Sequence, residues 1–387
     1  MDAPRPPARR LYADANATTP LHPAVRESLT EASARFFGNP ASLHGTGRMA
    51  REALEEARGQ VAGLVGCLPE EVVFVSSGTE GNHQALLSAA GAAGGRRRVL
   101  LSAVEHPSVA GAAEILEERG FAVEEIPVDG SGLLDLKALE GRLGDDVAVV
   151  SVLSAHNETG VLEPVESVGA LCRRHGALFH TDAVQAAGKV PLRWREALPD
   201  YLVVAAHKFY GPKGIAALVV RRGAPVVPLL RGGGQEGGRR ASTVAVPLAV
   251  AMGRAAEVAL AEMGAWAAVE GFRDSLEDRL RGRFGARVFG GEAPRLPNTS
   301  FFSLPGLSAA RMVAELDRRG IDVSTASACH SGQERLPRVL EAMGVPGEAA
   351  GTVLRISLLR HTTAEEAAFL AGSLEEAAAI LLKEPTP

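Results

Sequence analysis

The sequence predicts an α/β fold in which a mainly parallel sheet is covered by helices and is followed by a smaller C-terminal α+β domain. Between about residues 23 and 220, short apolar β-branched runs alternate with longer helical patterns, which is typical of such a sheet. After residue 231 the sequence pattern changes, first to a glycine-rich loop and then to a mixture of strand and helix patterns. The length of 387 residues, at roughly 150 residues per domain, also predicts two or three domains.

The strands of the larger unit are predicted from short apolar β-branched runs, which are fully apolar where both faces of the sheet are buried. The runs are Glu71 to Val75, Arg98 to Leu101, Ala122 to Ile126, Val147 to Leu153, Ala177 to His180, Leu202 to Ala205 and Ile215 to Val220.

An alanine-rich helical stretch from about Pro247 to Phe284 is predicted to bridge the two units. We assign residues 16–262 to a large domain, and residues 1–15 together with 263–387 to a small one. The elements predicted in the small domain are the strand Asn298 to Ser303, the helix Ser308 to Arg319, the strand Ile321 to Ser324, the helix Leu336 to Met343, the strand Val353 to Leu358 and a closing helix from Thr363.

Charge and cysteine content narrow the class of protein. The 41 lysines and arginines against 46 aspartates and glutamates give a net charge of −5, which argues against nucleic acid as the partner. The three cysteines form no C-x-x-C pair, and an odd number suits a reducing compartment, so we expect a cytoplasmic protein.

The N-terminus lacks the apolar core of a signal peptide, and no apolar run approaches the roughly 18 residues of a membrane span, so we expect no secretion and no membrane insertion.

Three segments at predicted strand ends form the candidate site. Ser76-Ser77-Gly78-Thr79 follows a strand and opens a helix, where free backbone N–H groups suit a phosphate, although an ordinary helix cap explains the segment equally well. Asp182 lies at the carboxyl end of a strand, where ligands collect in open α/β sheets; a helix cap or a salt bridge is its other interpretation. Lys208 follows the next strand, and a lysine in an apolar crevice can form a Schiff base, whereas most lysines are surface charges.

A phosphate cradle, a strand-end carboxylate and a strand-end lysine together describe one cofactor, pyridoxal 5'-phosphate (PLP). His106 also follows a strand and could stack on a flat ring, or it could be an ordinary polar residue at a strand end. Lysines are scarce, so there are few other candidates for the reactive amine. The five are Lys137, Lys189, Lys208, Lys213 and Lys383.

Two further residues could act on a substrate. Cys329 lies among small polar residues, a setting that favours a reactive thiol, and His330 could help to ionise it. Cys67 and Cys172 lie within or near helical patterns and are interpreted as structural. Arg355 projects from a short strand, where its planar guanidinium suits an α-carboxylate, although a surface ion pair would explain it as well.

The sequence motifs do not support a dinucleotide site, a metal centre or a serine-hydrolase site. Gly232-x-Gly234-x-x-Gly237 matches the dinucleotide fingerprint in form, but no helix pattern starts directly after Gly237 and no acidic strand end follows about 20 residues later. The chain also contains no H-E-x-x-H, no paired Cys/His spacing and no G-x-S-x-G. We therefore expect no metal centre and no serine-hydrolase site.

With these motifs the chain resembles the cysteine desulfurases of the NifS/IscS type, within the class V aminotransferases. The resemblance runs from Tyr12 to about Thr363. The matching stretches are Ala17-Thr18-Thr19-Pro20, Phe37-Gly38-Asn39-Pro40-Ala41-Ser42-Leu43-His44, Glu105-His106, His156-Asn157-Glu158-Thr159-Gly160, His180-Thr181-Asp182-Ala183-Val184-Gln185, His207-Lys208 through Gly214, Gly232 to Glu236, Ser327-Ala328-Cys329 and Leu359-Arg360-His361-Thr362-Thr363.

The resemblance implies a PLP-dependent transferase of fold type I, the aspartate aminotransferase-like fold. It implies a homodimer that converts L-cysteine into L-alanine and leaves a persulfide on Cys329 for a sulfur-acceptor protein, as in iron–sulfur cluster assembly. The implied roles are a covalent link to PLP at Lys208, a partner for the ring nitrogen at Asp182, stacking by His106, contacts to the ring hydroxyl or substrate from Gln185 and Asn157, phosphate binding by Gly78, Thr79, His207 and, from the second subunit, Thr243, and a carboxylate clamp at Arg355.

Two departures from the family pattern leave alternatives open. Ala205 stands where the family usually has a phosphate-binding serine, and Arg240-Ala241-Ser242-Thr243-Val244-Ala245 replaces the usual R-S-G-T-E-N. One alternative is a PLP-dependent C–S lyase that acts on a cysteine conjugate or selenocysteine. The other is a non-catalytic scaffold for sulfur-transfer proteins.

Overall fold

The computed structural model describes residues 10–192, 194–325, 336–349 and 351–383. The strands, in chain order, are β1 (Leu11–Tyr12), β2 (Val72–Val75), β3 (Arg98–Ser102), β4 (Ala122–Ile126), β5 (Val147–Ser151), β6 (Leu178–Asp182), β7 (Tyr201–Ala205), β8 (Ala216–Val220), β9 (Arg287–Val288), β10 (Thr299–Ser303), β11 (Ile321–Asp322), β12 (Ser324–Thr325) and β13 (Val353–Ser357). The helices are α1 (Pro23–Arg35), α2 (Gly45–Val65), α3 (Gly78–Gly91), α4 (Pro107–Glu118), α5 (Leu136–Arg142), α6 (Val165–His175), α7 (Trp194–Ala197), α8 (Val246–Ala261), α9 (Trp266–Phe284), α10 (Ala309–Arg318), α11 (Arg338–Ala342) and α12 (Ala364–Leu381).

The central sheet has the strand order β2-β8-β7-β6-β5-β3-β4. Apart from the edge strand β4, its strands are buried between two helical layers, with α2 and α8 on one side and α3 and α4 on the other. All pairs are parallel except those of β8, which runs antiparallel to both β2 and β7. The cause is the short connection of residues 206–215, because a parallel return needs a crossover of a dozen or more residues.

This topology brings three functional segments to one edge of the sheet. Strands β2, β6 and β7 point in the same direction, so their carboxyl ends lie side by side. The chain leaves β2 at Val75 to enter α3, β6 ends at Asp182, and β7 ends at Ala205 just before Lys208. The crevice at the carboxyl edge of an open α/β sheet is where ligands bind in folds of this kind.

The C-terminal elements form a second, smaller layer. Strands β12, β13, β10 and β9 make an antiparallel sheet, against which α9, α10 and α12 pack. The predicted helix of residues 247–284 is two helices, α8 and α9, separated at residues 262–265. The predicted strand of residues 321–324 is likewise two short strands, because β11 pairs with β1 while β12 pairs with β13. The domain boundaries assigned from the sequence stay a prediction.

Among the described residues, no helix combines the length and the apolar composition that crossing a bilayer requires.

An ion pair links the end of α8 to the segment before α12. The guanidinium of Arg360 is fully buried, lies over the ring of Tyr210 at 4.6 Å from its centroid, and pairs with Glu262 at 2.6 Å. The imidazoles of His22 and His361 flank the same carboxylate. The ligand atoms of these two histidines and Glu262 lie within 4.8 Å of one another, but a divalent cation here would lie against the guanidinium. The cluster is therefore best described as the counter-charge of Arg360.

Glu163 is a buried carboxyl group that makes folding sensitive to pH. Its side chain is buried, Oε2 accepts from the Leu134 amide at 2.9 Å, and Oε1 has no partner among the described residues. Burial raises the pKa of Glu163 to about 8. Between its ordinary pKa and this value, the folded protein holds a proton that the unfolded chain releases. The free energy of unfolding therefore falls as pH rises through this window.

Replacing Glu163 with glutamine is expected to remove this pH dependence. Relative to the parent protein, the variant should gain stability with rising pH by up to about 1.4 kcal/mol per pH unit, until the pH reaches the folded-state pKa of the parent. Unfolding midpoints in urea at a series of pH values measure the effect. Glu117→Gln changes an exposed glutamate and is the control. A stability difference that stays constant with pH would contradict the assignment.

Candidate active site

A cavity of about 450 Å³ opens at the carboxyl edge of the central sheet. It collects side chains from loops that are far apart in sequence, on both the central sheet and the smaller antiparallel one. The sequence-predicted residues that line it are Gly78, Thr79, His106, Asn157, Asp182, Gln185, His207, Lys208 and Arg355. The arrangement therefore joins the phosphate cradle, the strand-end carboxylate, the lysine and the arginine in one space.

The cradle is the N-terminus of α3. The Ser77 hydroxyl caps the helix by accepting from the Glu80 amide at 3.1 Å, while Gly78 and Thr79 form the start of the first turn. A Cβ atom at Gly78 would lie 3.2 Å from the Val184 side chain, so the close approach at this position favours glycine. Amide groups in the first turn have no partner within the helix and carry its positive dipole end. They suit an anion.

Asp182 is held by two hydrogen bonds at the back of the cavity. Its Oδ2 accepts from Asn82 Nδ2 at 2.7 Å and its Oδ1 accepts from the Val184 amide at 2.9 Å. Behind it, the imidazole of His180 bridges Asn82 and Ser151 at 3.2 and 2.8 Å. These contacts fix the carboxylate in a pocket where only 7% of the residue is exposed. A carboxylate so fixed can pair with a protonated nitrogen of a ligand.

Two histidines in the cavity are uncharged at neutral pH. His106 caps α4 and accepts from the Ser108 amide at 3.1 Å through Nδ1, and burial lowers the pKa of its ring. Burial together with the charge of Lys208 lowers the pKa of His207 to about 4. The Nδ1 atom of His207 lies 3.2 Å from the Thr18 hydroxyl. Both rings therefore present neutral faces or single N–H donors to a ligand.

Lys208 lies on the turn that follows β7. Its Nζ atom donates to the backbone carbonyls of Asn16 and Ala17, at 2.5 and 2.9 Å. The backbone of the turn is fixed by a hydrogen bond, in which the Tyr210 amide donates to the Thr19 hydroxyl at 2.8 Å. Tyr210 itself has a φ of 67°, in the left-handed region. A Cβ atom at Gly211 would lie 2.7 Å from that of Ala206, so the turn also needs glycine there. The loop therefore presents the amine in a defined place.

Arg355 lies on β13 at the opposite side of the cavity. It donates from Nη2 to Asp14 at 2.7 Å and from Nη1 to the Asn157 carbonyl at 3.3 Å. Among the described residues its Nε atom has no partner, although it is buried. An arginine held from one side, with a donor to spare, is suited to bind a carboxylate.

Other sequence predictions lie outside this cavity. Cys329 falls within residues 326–335, which the structure does not describe. Thr243 is exposed and does not line the cavity. The segment with the dinucleotide-like glycines instead buries Glu236, which accepts from Arg58 at 2.7 Å.

Sequence reasoning did not identify three residues that organise the site. They are Asn16, Asn82 and Lys189, and each is buried and hydrogen-bonded to a residue that lines the cavity. Asn16 directly precedes the matching stretch that begins at Ala17, which was the available signal. For Asn82 and Lys189 no local motif pointed to the site.

Comparison with known proteins places the chain in a family. The family model of the class-V aminotransferases matches residues 11–370. A cysteine desulfurase from Cereibacter sphaeroides is 46% identical over 360 residues, which cover 92% of each chain. Among solved structures, a NifS-like protein superposes with a TM-score of 0.90 at 36% identity, covering 96% of this chain and 100% of the other.

A further solved structure is that of SspA in complex with cysteine. It matches with a TM-score of 0.79 at 29% identity, covering 90% of this chain and 98% of the other. The predicted fold class and family are confirmed by these matches. The chain therefore belongs to the class-V aminotransferases and, within them, to the NifS-like cysteine desulfurases.

Proposed function

We propose that this protein uses PLP to convert L-cysteine into L-alanine and transfers the sulfur, through a persulfide on Cys329, to an acceptor protein. The observation that carries the proposal is the convergence of Lys208, Asp182 and Arg355 on one cavity. A structural relative, SspA, has been solved in complex with cysteine. Membership among the cysteine desulfurases supports the same substrate.

The residues that line the cavity fit PLP. The first turn of α3, with Gly78 and Thr79, offers amide donors for the phosphate, and the carboxylate of Asp182 can face the ring nitrogen. The neutral ring of His106 can stack on a planar ligand. Lys208 supplies the amine for the covalent link. When bound, PLP supplies an electron sink for the charge that develops at the substrate Cα.

The protein's own side chains then have separate tasks. Arg355 binds the substrate carboxylate and orients the Cα–H bond. Once the substrate amine had replaced that of Lys208 in the link to the cofactor, the free Lys208 amine would accept the Cα proton, because it is the basic group on the turn that faces the cavity. The carboxylate of Asp182, held by Asn82 and the Val184 amide, stabilises positive charge on the ring nitrogen. The thiolate of Cys329 attacks the substrate sulfur and accepts it as a persulfide. The Cβ–S bond of the substrate breaks in this step, and its electron pair stays on the substrate carbons, which take up protons to give alanine.

Replacing Arg355 with lysine is expected to raise KM for L-cysteine by about 10- to 100-fold, with a smaller effect on kcat. A lysine keeps the charge but lacks the spare Nε donor of the arginine, and a hydrogen bond to a charged group contributes about 1.5–3 kcal/mol. Steady-state kinetics measure the change. Arg174→Lys, in an exposed ion pair with Glu140, is the matched control. An unchanged KM would show that Arg355 does not bind the substrate carboxylate.

The proposal includes a cytoplasmic homodimer. Two large apolar side chains, Phe37 and Leu43, are 76% and 82% exposed. Both lie in the stretch from Phe37 to His44 that matches the family pattern. A second copy of the chain that covers these side chains would remove apolar surface from water. Thr243, which is exposed in its own chain, would then be available to the phosphate site of the other copy.

Product analysis tests the proposed function. The purified protein is incubated with PLP, L-cysteine and a thiol reductant, and alanine, sulfide, pyruvate and ammonia are quantified. A desulfurase forms alanine and sulfide in equal amounts. Pyruvate and ammonia as main products would instead identify a C–S lyase, the alternative that Ala205 and the altered 240–245 segment keep open. A protein that develops no visible absorbance with PLP would be a scaffold.

A further inference from the structure

Behind the cavity lies a lysine that the proposed chemistry does not use. Lys189 is only 3% exposed and does not line the cavity. Its Nζ atom donates to Gln185 Oε1 at 2.8 Å, to the Gln185 carbonyl at 3.1 Å and to Asn16 Oδ1 at 3.2 Å. All three acceptors are uncharged oxygens. Burying an amine without a carboxylate partner lowers the stability of the folded protein, so a role for Lys189 other than stabilising the fold is to be sought.

The contacts of Lys189 fix the orientation of a side-chain amide in the cavity. The Nε2 atom of Gln185 donates to the Asn16 carbonyl at 2.9 Å, and a backbone carbonyl can only accept. On the other side of the same amide, the lysine donates to Oε1. A flipped amide would turn its oxygen to the carbonyl and its NH₂ group to the lysine. Both hydrogen bonds would then be lost.

Lys189 also contacts Asn16, whose Oδ1 accepts both from Lys189 Nζ and from Asn298 Nδ2 at 3.2 Å. Nδ2 of Asn16 donates to the Asn157 carbonyl at 3.1 Å, so its Oδ1 must face Lys189. The carbonyl of Asn16 also accepts from Lys208 Nζ at 2.5 Å, which places the NH₂ group of Gln185 beside the reactive amine. Lys189 therefore contacts two side-chain amides, those of Asn16 and Gln185, and both of these residues line the cavity.

We infer that Lys189 is a positioning residue, which keeps the NH₂ group of Gln185, and not its carbonyl oxygen, on the side of Lys208. The inference rests on the proposed function in one respect, since the group expected next to Gln185 is the ring oxygen of PLP. An N–H donor stabilises that oxygen as an anion, whereas an amide oxygen would repel it. The positive potential of a lysine behind the amide acts in the same direction. Burial and the charges of Lys208 and Arg355 lower the pKa of Lys189, so this potential weakens at high pH.

The test compares Lys189→Met with Lys189→Gln. The two side chains have similar length, but only glutamine offers an NH₂ donor. The readout is the pH midpoint of the visible absorbance of bound PLP, together with the PLP dissociation constant from an absorbance titration. For Lys189→Met we expect the midpoint to rise by about one pH unit and PLP binding to weaken about tenfold, because the anionic ring oxygen loses its donor. Lys189→Gln should recover part of both effects.

A double-mutant cycle separates positioning from general loss of structure. Gln185→Leu is made alone and together with Lys189→Met, and all variants are checked for folding by circular dichroism. If Lys189 acts through Gln185, its replacement shifts the midpoint much less once Gln185 is absent. An equal shift in both backgrounds, or an unchanged midpoint in a folded Lys189→Met, overturns the inference. A parent protein without visible absorbance overturns the proposed function itself, and this inference with it.

Discussion

Lys208→Ala is expected to abolish the visible absorbance that PLP acquires on binding, and to lower desulfuration of L-cysteine by about 10³-fold or more. The side chain is assigned two tasks, the covalent link to the cofactor and acceptance of the Cα proton, and proton transfer by a positioned group alone contributes about 10²- to 10⁴-fold. Absorbance spectra after addition of PLP, and single-turnover formation of alanine, measure the two tasks separately. Lys137→Ala alters an exposed lysine on α5 and should leave both unchanged.

Lys208→Arg provides a second comparison. It keeps a positive charge near the carbonyls of Asn16 and Ala17 but has no primary amine. If the chemistry depends on the amine, this variant should be as inactive as the alanine variant. Alanine formation at the parental rate in either variant would mean that Lys208 is not the reactive lysine, and another of the five lysines would have to be sought.

The strand-end residues could be predicted from the sequence because their position relative to a strand carries the information. An apolar β-branched run marks a buried strand, and the polar residue that follows it lies at the edge of the sheet. Asp182 and Lys208 each follow such a run, and both line the cavity. The same rule located the segment of Gly78 at the start of α3.

The antiparallel direction of β8 relative to its neighbours could not be predicted from its apolar residues. A strand buried on both faces is apolar whether it runs parallel or antiparallel to its neighbours, so the run of residues 215–220 carries no sign of direction. The information lies in the short connection after β7, which leaves no room for a crossover helix. Similarly, the alanine-rich stretch from Pro247 continues through the break between α8 and α9, because Gly264 is the one residue of the segment 262–265 that disfavours a helix.

The hydrogen-bond network behind the cavity could not be predicted from local motifs. Asn16 and Lys189 are 173 residues apart in the chain, and Asn82 and Asp182 are 100 apart. Only the folded topology brings them together. An asparagine or a lysine in isolation is most often a surface residue, so nothing in its neighbourhood distinguishes one that orients a catalytic group.

Cys329→Ser is expected to remove sulfur transfer to an acceptor protein and the persulfide itself. A thiolate is the nucleophile in such a transfer, and a serine hydroxyl is ionised far less readily. The measurement is peptide mass spectrometry after reaction with L-cysteine, which locates a reductant-sensitive gain of one sulfur atom. We expect this gain on Cys329 in the parent protein and on no peptide in the variant, with acceptor sulfuration reduced by about 10²-fold or more.

The other two cysteines supply the controls, and they make the assignment decisive. Burial raises the pKa of both Cys67 and Cys172 to about 12, so each thiol stays protonated at neutral pH. Cys172 is in addition only 1% exposed, within the core between α6 and the central sheet. Cys67→Ser and Cys172→Ser should therefore retain the persulfide on Cys329 and the full transfer rate. A persulfide found on Cys67 or Cys172, or full transfer by Cys329→Ser, would assign the sulfur to a different acceptor group and would remove Cys329 from the mechanism.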